Sequence, residues 1–156
     1  MRWVTRKNAN VDRVACPWLI KRFVDPNAEF VYVPGDTDPA TVTDGTPYDM
    51  RYPDGRPVEL GHVDGRCSFE SIMLKHGLDD PALRMLGRIV HGADIPADIA
   101  DCPVEAHGLR AAAYGFAFAL GEDDHKKIEQ ETPLYDALYA WCQREVARAQ
   151  PAAATA

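Results

Sequence analysis

Five polar residues in the middle and second half of the chain have types and spacings that could hold a metal ion. They combine imidazole and carboxylate groups, which are ordinary ligands of Zn²⁺, Fe²⁺ and Mn²⁺. An ion held in this way, with one position left open, could bind an oxyanion or activate a water molecule. The predicted metal ligands are His62, Glu70, His91, Asp94 and Glu105.

Each of these residues also has an ordinary structural explanation. A glutamate at the start of a helix, such as Glu70 or Glu105, often only complements the helix dipole. Asp94 could close a turn, and an inward histidine is commonly a hydrogen-bonded core residue. His91 and Asp94 are three residues apart, so they can share one face at a helix end. Spacing alone therefore leaves both interpretations open.

Cys67 is the candidate for a catalytic thiol. It follows Gly65-Arg66 and precedes Ser68, which is predicted as the N-cap of a helix. A helix N-terminus and a nearby arginine both lower a thiol pKa, so we expect a reactive thiol or a soft metal ligand here. The alternative is a small buried residue. Cys16 has a similar but weaker setting.

The basic residues near the N-terminus offer a second kind of site. Arg13 and Arg22 lie in the chain's one basic stretch, beside a predicted helix start near Cys16. Guanidinium groups and a helix N-terminus can together hold a tetrahedral oxyanion. We therefore treat Arg13 and Arg22 as candidate substrate-binding residues, with solvated surface charge as the alternative.

The first half of the chain should position these groups with a small sheet. Residues 2–6 and 29–33 have the β-branched and aromatic composition of strands, and a helical pattern lies between them. Asp12 is a good N-cap for that helix. A strand, helix and strand within ~30 residues indicate a right-handed βαβ unit. Residues 57–63 alternate like a further strand, which would place His62 on its apolar face.

The second half is predicted to be helical, so the fold class is α+β, with a small N-terminal sheet packed against a C-terminal group of helices. Residues 105–120 are apolar on most sides, which is typical of a central helix or of part of a homodimer interface. Thr132-Pro133 is expected to start the last helix. We expect one domain over residues 1–150 and a flexible tail at 151–156.

Composition limits the partners. The 156 residues carry 17 Lys and Arg against 24 Asp and Glu, a formal net charge of −7. This excess of acid argues against direct nucleic-acid binding, which needs a basic surface. No apolar run is long enough to span a membrane. The four widely spaced cysteines suit a reducing cytoplasm. We therefore expect a cytoplasmic protein whose partner is a small oxyanion or a metal ion.

Six short motifs, in this order, resemble one known family. The most distinctive is DRVACPWLIKRFVDP at 12–26, and the others lie at 59–62, 67–70, 89–94, 105–108 and 135–139. Together they resemble the chromate-resistance domain that forms the C-terminal domain of ChrB-type proteins, from Trp3 to about Cys142. We expect its stand-alone form. The resemblance implies polar motif positions at His62, Cys67, Glu70, His91, Asp94 and Glu105.

Three functional hypotheses follow. The first is a metal-binding domain in chromate resistance or oxidative stress, with redox chemistry favoured by the family context and catalysis left open. The second is a non-catalytic module that senses chromate or sulfate through Arg13 and Arg22. The third is a thiol redox protein that uses Cys67.

Overall fold

The computed structural model describes residues 1–150, and the predicted tail at 151–156 lies outside the described residues. Strand β1 (Arg2–Arg6), helix α1 (Asp12–Phe23) and strand β2 (Glu29–Val33) form the predicted βαβ unit, with the two strands parallel. A two-residue strand, β3 (Thr46–Pro47), pairs parallel with the other edge of β1, so the sheet order is β2-β1-β3. The expected N-terminal sheet is confirmed.

Four helices make up the rest of the domain, which confirms the α+β fold class. The helices are α2 (Ser68–Lys75), α3 (Pro81–Asp94), α4 (Glu105–Leu120) and α5 (Asp124–Ala149). Helix α3 packs against both α4 and α5, and α1 packs against α2 and α5. Short 3₁₀ helices occupy Pro39–Thr41 and Pro96–Asp101. Among residues 1–150, no helix is long and apolar enough to cross a membrane.

An aromatic cluster around Trp18 joins the two halves. The Trp18 ring lies nearly parallel to Phe69 of α2, with ring centroids 6.5 Å apart, and meets Tyr139 of α5 edge-on. Its indole Nε1 donates a hydrogen bond of 2.8 Å to Asp136. Large aromatic side chains bury much apolar area and prefer such offset geometries. This cluster therefore holds α1, α2 and α5 together.

The predicted strand at 57–63 is wrong. The segment forms an isolated bridge between Arg51 and Pro57, and Asp49 N donates to Leu60 O, but the backbone then turns tightly, with Gly61 N donating to Val58 O. A Cβ at Gly61 would lie 3.0 Å from Val58 O, so the turn needs glycine there. Because the alternation is broken, His62 leaves the apolar side and is 30% exposed.

Two expectations about the last helices are also wrong. Helix α5 does not begin at Thr132-Pro133 but runs through it, and Thr132 Oγ1 donates to Ile128 O at 2.6 Å beside the proline. Helix α4 is not central, because only Ala106, Leu109 and Ala113 are buried, and Phe118 is 83% exposed. Its apolar composition therefore did not predict its burial.

Helix α3 runs through Gly92 and ends at Asp94. A Cβ at Gly92 would lie 2.8 Å from the Cβ atoms of both Ala106 and Cys102. The glycine is therefore needed for the close approach of α3 to the start of α4.

We predict that Gly92→Ala destabilises the protein by about 1–3 kcal/mol, because the added methyl group must push the helices apart. Urea unfolding followed by circular dichroism measures this. Gly115→Ala in α4 is the matched control, since a Cβ there meets nothing within 4 Å. The control should stabilise by up to about 1 kcal/mol through helix propensity. Equal effects of the two variants would contradict the packing argument.

Glu131 gives the folded protein a distinct dependence on pH. It is 1% exposed, and its Oε1 atom finds no hydrogen-bond partner among residues 1–150. Burial raises its pKa from 4.5 to about 8, although the charge of Lys127 opposes the shift. Between these two values the folded state keeps a proton that the unfolded chain releases, so stability falls as pH rises through this window.

We predict that Glu131→Gln flattens this fall and exceeds the parent in stability by at least about 1 kcal/mol at pH 8. Denaturant unfolding at several pH values between 5 and 8 measures the slope. Glu129→Gln, at an exposed position of the same helix, should leave the slope of the parent unchanged. The same slope in all three proteins would refute the assignment.

Candidate functional site

Asp12 connects the helix that carries it to the start of another. It is the first residue of α1, whose N-cap is Val11, so the predicted N-cap role is wrong. Its carboxylate instead accepts hydrogen bonds from Ser68 N at 2.7 Å and Phe69 N at 3.3 Å. These amides open α2 and have no partner within their own helix. Asp12 therefore caps α2 from a distant part of the chain.

Asp49 reaches the same turn of α2 from the long loop after β3. Its backbone has a φ of +48°, a left-handed conformation that aspartate adopts more readily than most residues. Its Oδ1 accepts a 2.7 Å hydrogen bond from Ser68 Oγ, and its Oδ2 faces Arg13 Nε at 3.4 Å and Arg6 at 3.8 Å. The unusual backbone thus holds the carboxylate beside Asp12.

Three carboxylates surround one ring nitrogen in what we call the His62 cluster (Asp12, Asp49, His62 and Asp94). The His62 Nε2 atom lies 2.9 Å from Asp94 Oδ2, 3.3 Å from Asp12 Oδ2 and 3.4 Å from Asp49 Oδ1. One N–H group can satisfy only one of these oxygens well. The arrangement therefore gathers more negative charge than His62 can neutralise.

The pKa values reflect this crowding. Burial, reinforced by the charge of Asp94, raises the pKa of Asp12 to about 7. Burial and Asp94 also raise the pKa of Asp49. Hydrogen bonds to Asp12 and Asp94 raise the pKa of His62 to about 10. The pKa shifts of Asp12 and Asp49 reflect burial and mutual repulsion, whereas the pKa shift of His62 reflects its carboxylate partners, which outweigh the opposing effect of burial.

The His62 cluster opens to solvent through a small cavity of about 40 Å³. One water molecule occupies about 30 Å³ in the liquid, so a single small ligand fits. The lining residues are Arg6, Asp49, Met50, Arg51 and His62.

A second group, the His91 cluster (Cys67, Glu70, His91 and Asp98), lies at the same end of α2. The two nitrogens of the His91 ring face two different carboxylates, Nδ1 toward Glu70 Oε1 and Nε2 toward Asp98 Oδ2 at 2.7 Å. Glu70 also accepts from Cys67 N at 3.1 Å, and the Cys67 side chain accepts from Glu70 N, which completes a capping box. Glu70 therefore has the structural role at a helix start that the sequence left open as an alternative.

The charged groups within the His91 cluster compensate one another. Burial opposes the charged form of Glu70, but hydrogen bonds from His91 and Cys67 N outweigh it and lower the carboxyl pKa. Burial likewise opposes the charged form of His91, but hydrogen bonds to Asp98 and Glu70 raise the imidazole pKa. Arg88 lies 3.2 Å from Glu70 Oε2 and compensates its charge.

The pKa of the Cys67 thiol is shifted upward, whereas the sequence predicted a lowered pKa. Cys67 is fully buried and forms the N-cap of α2, the position predicted for Ser68. Burial raises its pKa well above the ordinary value, and the charges of Asp12 and Glu70 add to the shift. The helix N-terminus that was expected to lower the pKa is already compensated by these carboxylates. The free thiol is therefore protonated at neutral pH.

The structure divides the predicted site residues among several places. His62 and Asp94 belong to one cluster, and Glu70 and His91 to the other. Glu105 opens α4 and belongs to neither of the two groups of potential metal ligands found in residues 1–150. Arg13 faces Asp49 in the His62 cluster, whereas Arg22 pairs with Asp136 of α5.

Sequence reasoning missed two carboxylates of the His62 cluster. Asp12 was predicted only as the N-cap of its own helix, and Asp49 was not among the predicted site residues. A signal was present for Asp12, since it opens the most distinctive motif. No local pattern marks Asp49, because its position depends on a turn that only the folded chain defines.

The fold and these clusters define a small α+β domain with imidazole and carboxylate groups gathered at the start of one helix. The chain belongs to the ChrB C-terminal domain family, whose model matches residues 3–142. It is 35% identical over 139 residues to Protein ChrB of Cupriavidus metallidurans. This match covers 88% of the chain but only 39% of that relative. No solved structure matches the chain. The resemblance to a chromate-resistance domain is thus confirmed.

We predict that Asp12→Ala destabilises the protein by about 2–4 kcal/mol, because two buried amides at the start of α2 lose their acceptor. Chemical denaturation measures the change. Asp123→Ala removes an ordinary exposed cap of α5, where Asp123 accepts from Lys126 N at 3.0 Å. That control should cost about 1 kcal/mol. A smaller loss in Asp12→Ala than in the control would contradict the role of Asp12 as a cap of α2.

Proposed function

We propose that this ChrB-type domain binds one divalent transition-metal ion in the His62 cluster, and that this ion serves chromate resistance or the response to oxidative stress. The observation that carries the proposal is the convergence of three carboxylate oxygens within 3.4 Å of His62 Nε2. Metal–ligand bonds of roughly 2.0–2.2 Å place neighbouring donor atoms about 3 Å apart. The His62 nitrogen is already at about this distance from each carboxylate oxygen, and the donor atoms of Asp12, His62 and Asp94 all lie within 4.8 Å of one another.

The donor set narrows the choice of ion. One imidazole nitrogen and three carboxylate oxygens suit Mn²⁺, Fe²⁺ or Zn²⁺, and the absence of sulfur disfavours Cu⁺. A divalent cation would also compensate the negative charge of Asp12 and Asp94, while Arg13 and Arg6 already face Asp49. Ser68 Oγ and Arg13 Nε already contact the Asp49 carboxylate, and these contacts would orient it as a ligand.

The small cavity beside His62 gives the ion an open position. Arg6 and Arg51 line this opening, so a small anion or a water molecule could reach the metal. Redox handling of an oxyanion or a reactive oxygen species suits this setting better than hydrolysis, given the family. We place the function in the cytoplasm, since all four cysteines are free.

The other two hypotheses have less support. An oxyanion site that uses Arg13 and Arg22 together is disfavoured, because these guanidinium groups face Asp49 and Asp136 in different parts of the domain. A redox role for Cys67 is disfavoured by its burial and raised pKa.

We predict that the metal-free protein binds about one equivalent of Mn²⁺ in the His62 cluster, measured from the electron paramagnetic resonance signal of the free ion. Asp94→Asn and His62→Gln should each weaken binding at least tenfold, because each removes a ligand. Asp64→Asn makes the same chemical change at an exposed position of the neighbouring loop and should bind like the parent. Folded parent protein that binds neither Mn²⁺, Fe²⁺ nor Zn²⁺ would overturn the proposal.

A further inference from the structure

The His91 cluster contains a set of donors that the proposed function does not use. The Sγ atom of Cys67, a carboxylate oxygen of Glu70 and a ring nitrogen of His91 all lie within 4.8 Å of one another. Cys67 and Glu70 are the N-cap and third residues of α2, and His91 comes from the last turn of α3. Two rigid helices thus present a sulfur, an oxygen and a nitrogen to one point.

The orientation of His91 suits a ligand. Asp98 Oδ2 lies 2.7 Å from His91 Nε2, where it accepts the ring proton. In the neutral ring, Nδ1 then directs a lone pair toward Glu70 Oε1. Two such acceptors repel each other unless a cation lies between them. A proton or a metal ion can fill that place, and a carboxylate behind a ligating histidine is the usual outer support of a metal site.

The surroundings hold Glu70 in position. Arg88 engages Glu70 Oε2 at 3.2 Å, so Oε1 is the oxygen left for His91 and its neighbours. Gly87 lies one helical turn before His91, and a Cβ there would be 3.7 Å from Glu70 Cγ and 3.3 Å from Met73 Sδ. The missing side chain allows α2 to approach α3 at this point.

A surface cavity gives access to the His91 cluster from the side of Glu70. Cys67 and His91 are buried, but Glu70 and Arg88 line a surface cavity of about 540 Å³ between α2 and α3. An ion could enter from this side and keep a water molecule as its fourth ligand there. Three protein ligands with one open position is a common arrangement for zinc.

We propose that the His91 cluster is a second metal site, selective for a thiolate-accepting ion such as Zn²⁺, with Cys67 Sγ, Glu70 Oε1 and His91 Nδ1 as ligands. On binding, the Cys67 thiol loses its proton to solvent as the metal–sulfur bond forms, and a protonated His91 ring likewise releases its Nδ1 proton as the metal–nitrogen bond forms. The two clusters share no ligand, so this proposal does not depend on the ion proposed at His62. Thiolate distinguishes this site, since the oxygen-rich His62 cluster suits harder ions.

Co²⁺ is the probe for the second site, because its bond to a thiolate produces a charge-transfer band in the near ultraviolet. Chelator-treated protein is titrated with Co²⁺ under reducing conditions. We expect the band in the parent, its loss in Cys67→Ser and its displacement by about one equivalent of Zn²⁺. Cys102→Ser is the matched control, since Cys102 lies outside the three-donor group and contacts Arg88 instead. This control should keep the band.

Glu70→Gln provides a variant that keeps the capping box, because glutamine can also bond to the N-cap amide. This variant should fold, and its affinity for Co²⁺, measured from the titration of the band, should be at least tenfold weaker than that of the parent. A band that survives in Cys67→Ser, or folded parent protein that shows no band, would overturn the proposal. His62→Gln should keep the band while losing Mn²⁺ binding. Loss of one signal without the other therefore shows which of the two sites fails.

Discussion

The carboxylate of Asp12 is the contact on which the arrangement of the domain depends. It lies in the first turn of α1 and accepts the backbone amides of Ser68 and Phe69, so it fixes the start of α2 against the βαβ unit. A buried anion is stable only where donors and positive charge compensate it. The N-terminus of a helix supplies both. The Asp12 carboxylate thus supplies the acceptor that the first amides of α2 need, and these amides stabilise its charge.

The same turn of α2 separates two groups of different chemistry. On one side Asp12, Asp49 and Asp94 converge on His62, and this group has an excess of carboxylate. On the other side Glu70, His91 and Cys67 form a network that Arg88 and Asp98 largely balance. One short helix therefore supports an oxygen-rich cluster and a sulfur-containing cluster. The shared support couples both clusters to the folding of α2.

Local sequence patterns correctly predicted those strands and helices whose tertiary packing matches their apolar pattern. Strands β1 and β2 and the helix between them follow from β-branched runs and apolar spacing, and they were confirmed. Residues 57–63 have a strand pattern, but only an isolated bridge and a few backbone hydrogen bonds join them to residues 49–51 before the chain turns at Gly61, so no strand forms. Pro133 was expected to begin a helix, yet tertiary packing carries α5 through it. Burial of Lys127 and Glu131 before this proline shows that the first turns of α5 are part of the packed structure.

The sequence by itself determined the α+β class, the βαβ beginning, the family and most of the polar residues that matter. Only the tertiary structure decided which of them meet. His62 and Asp94 join Asp12 and Asp49, whereas Glu70 and His91 form a separate group and Glu105 joins neither. The physical reason is that each cluster is assembled by contacts between distant segments. Spacing along a helix or strand encodes neighbours on one element, but it does not encode which loop, with which backbone conformation, packs against that element.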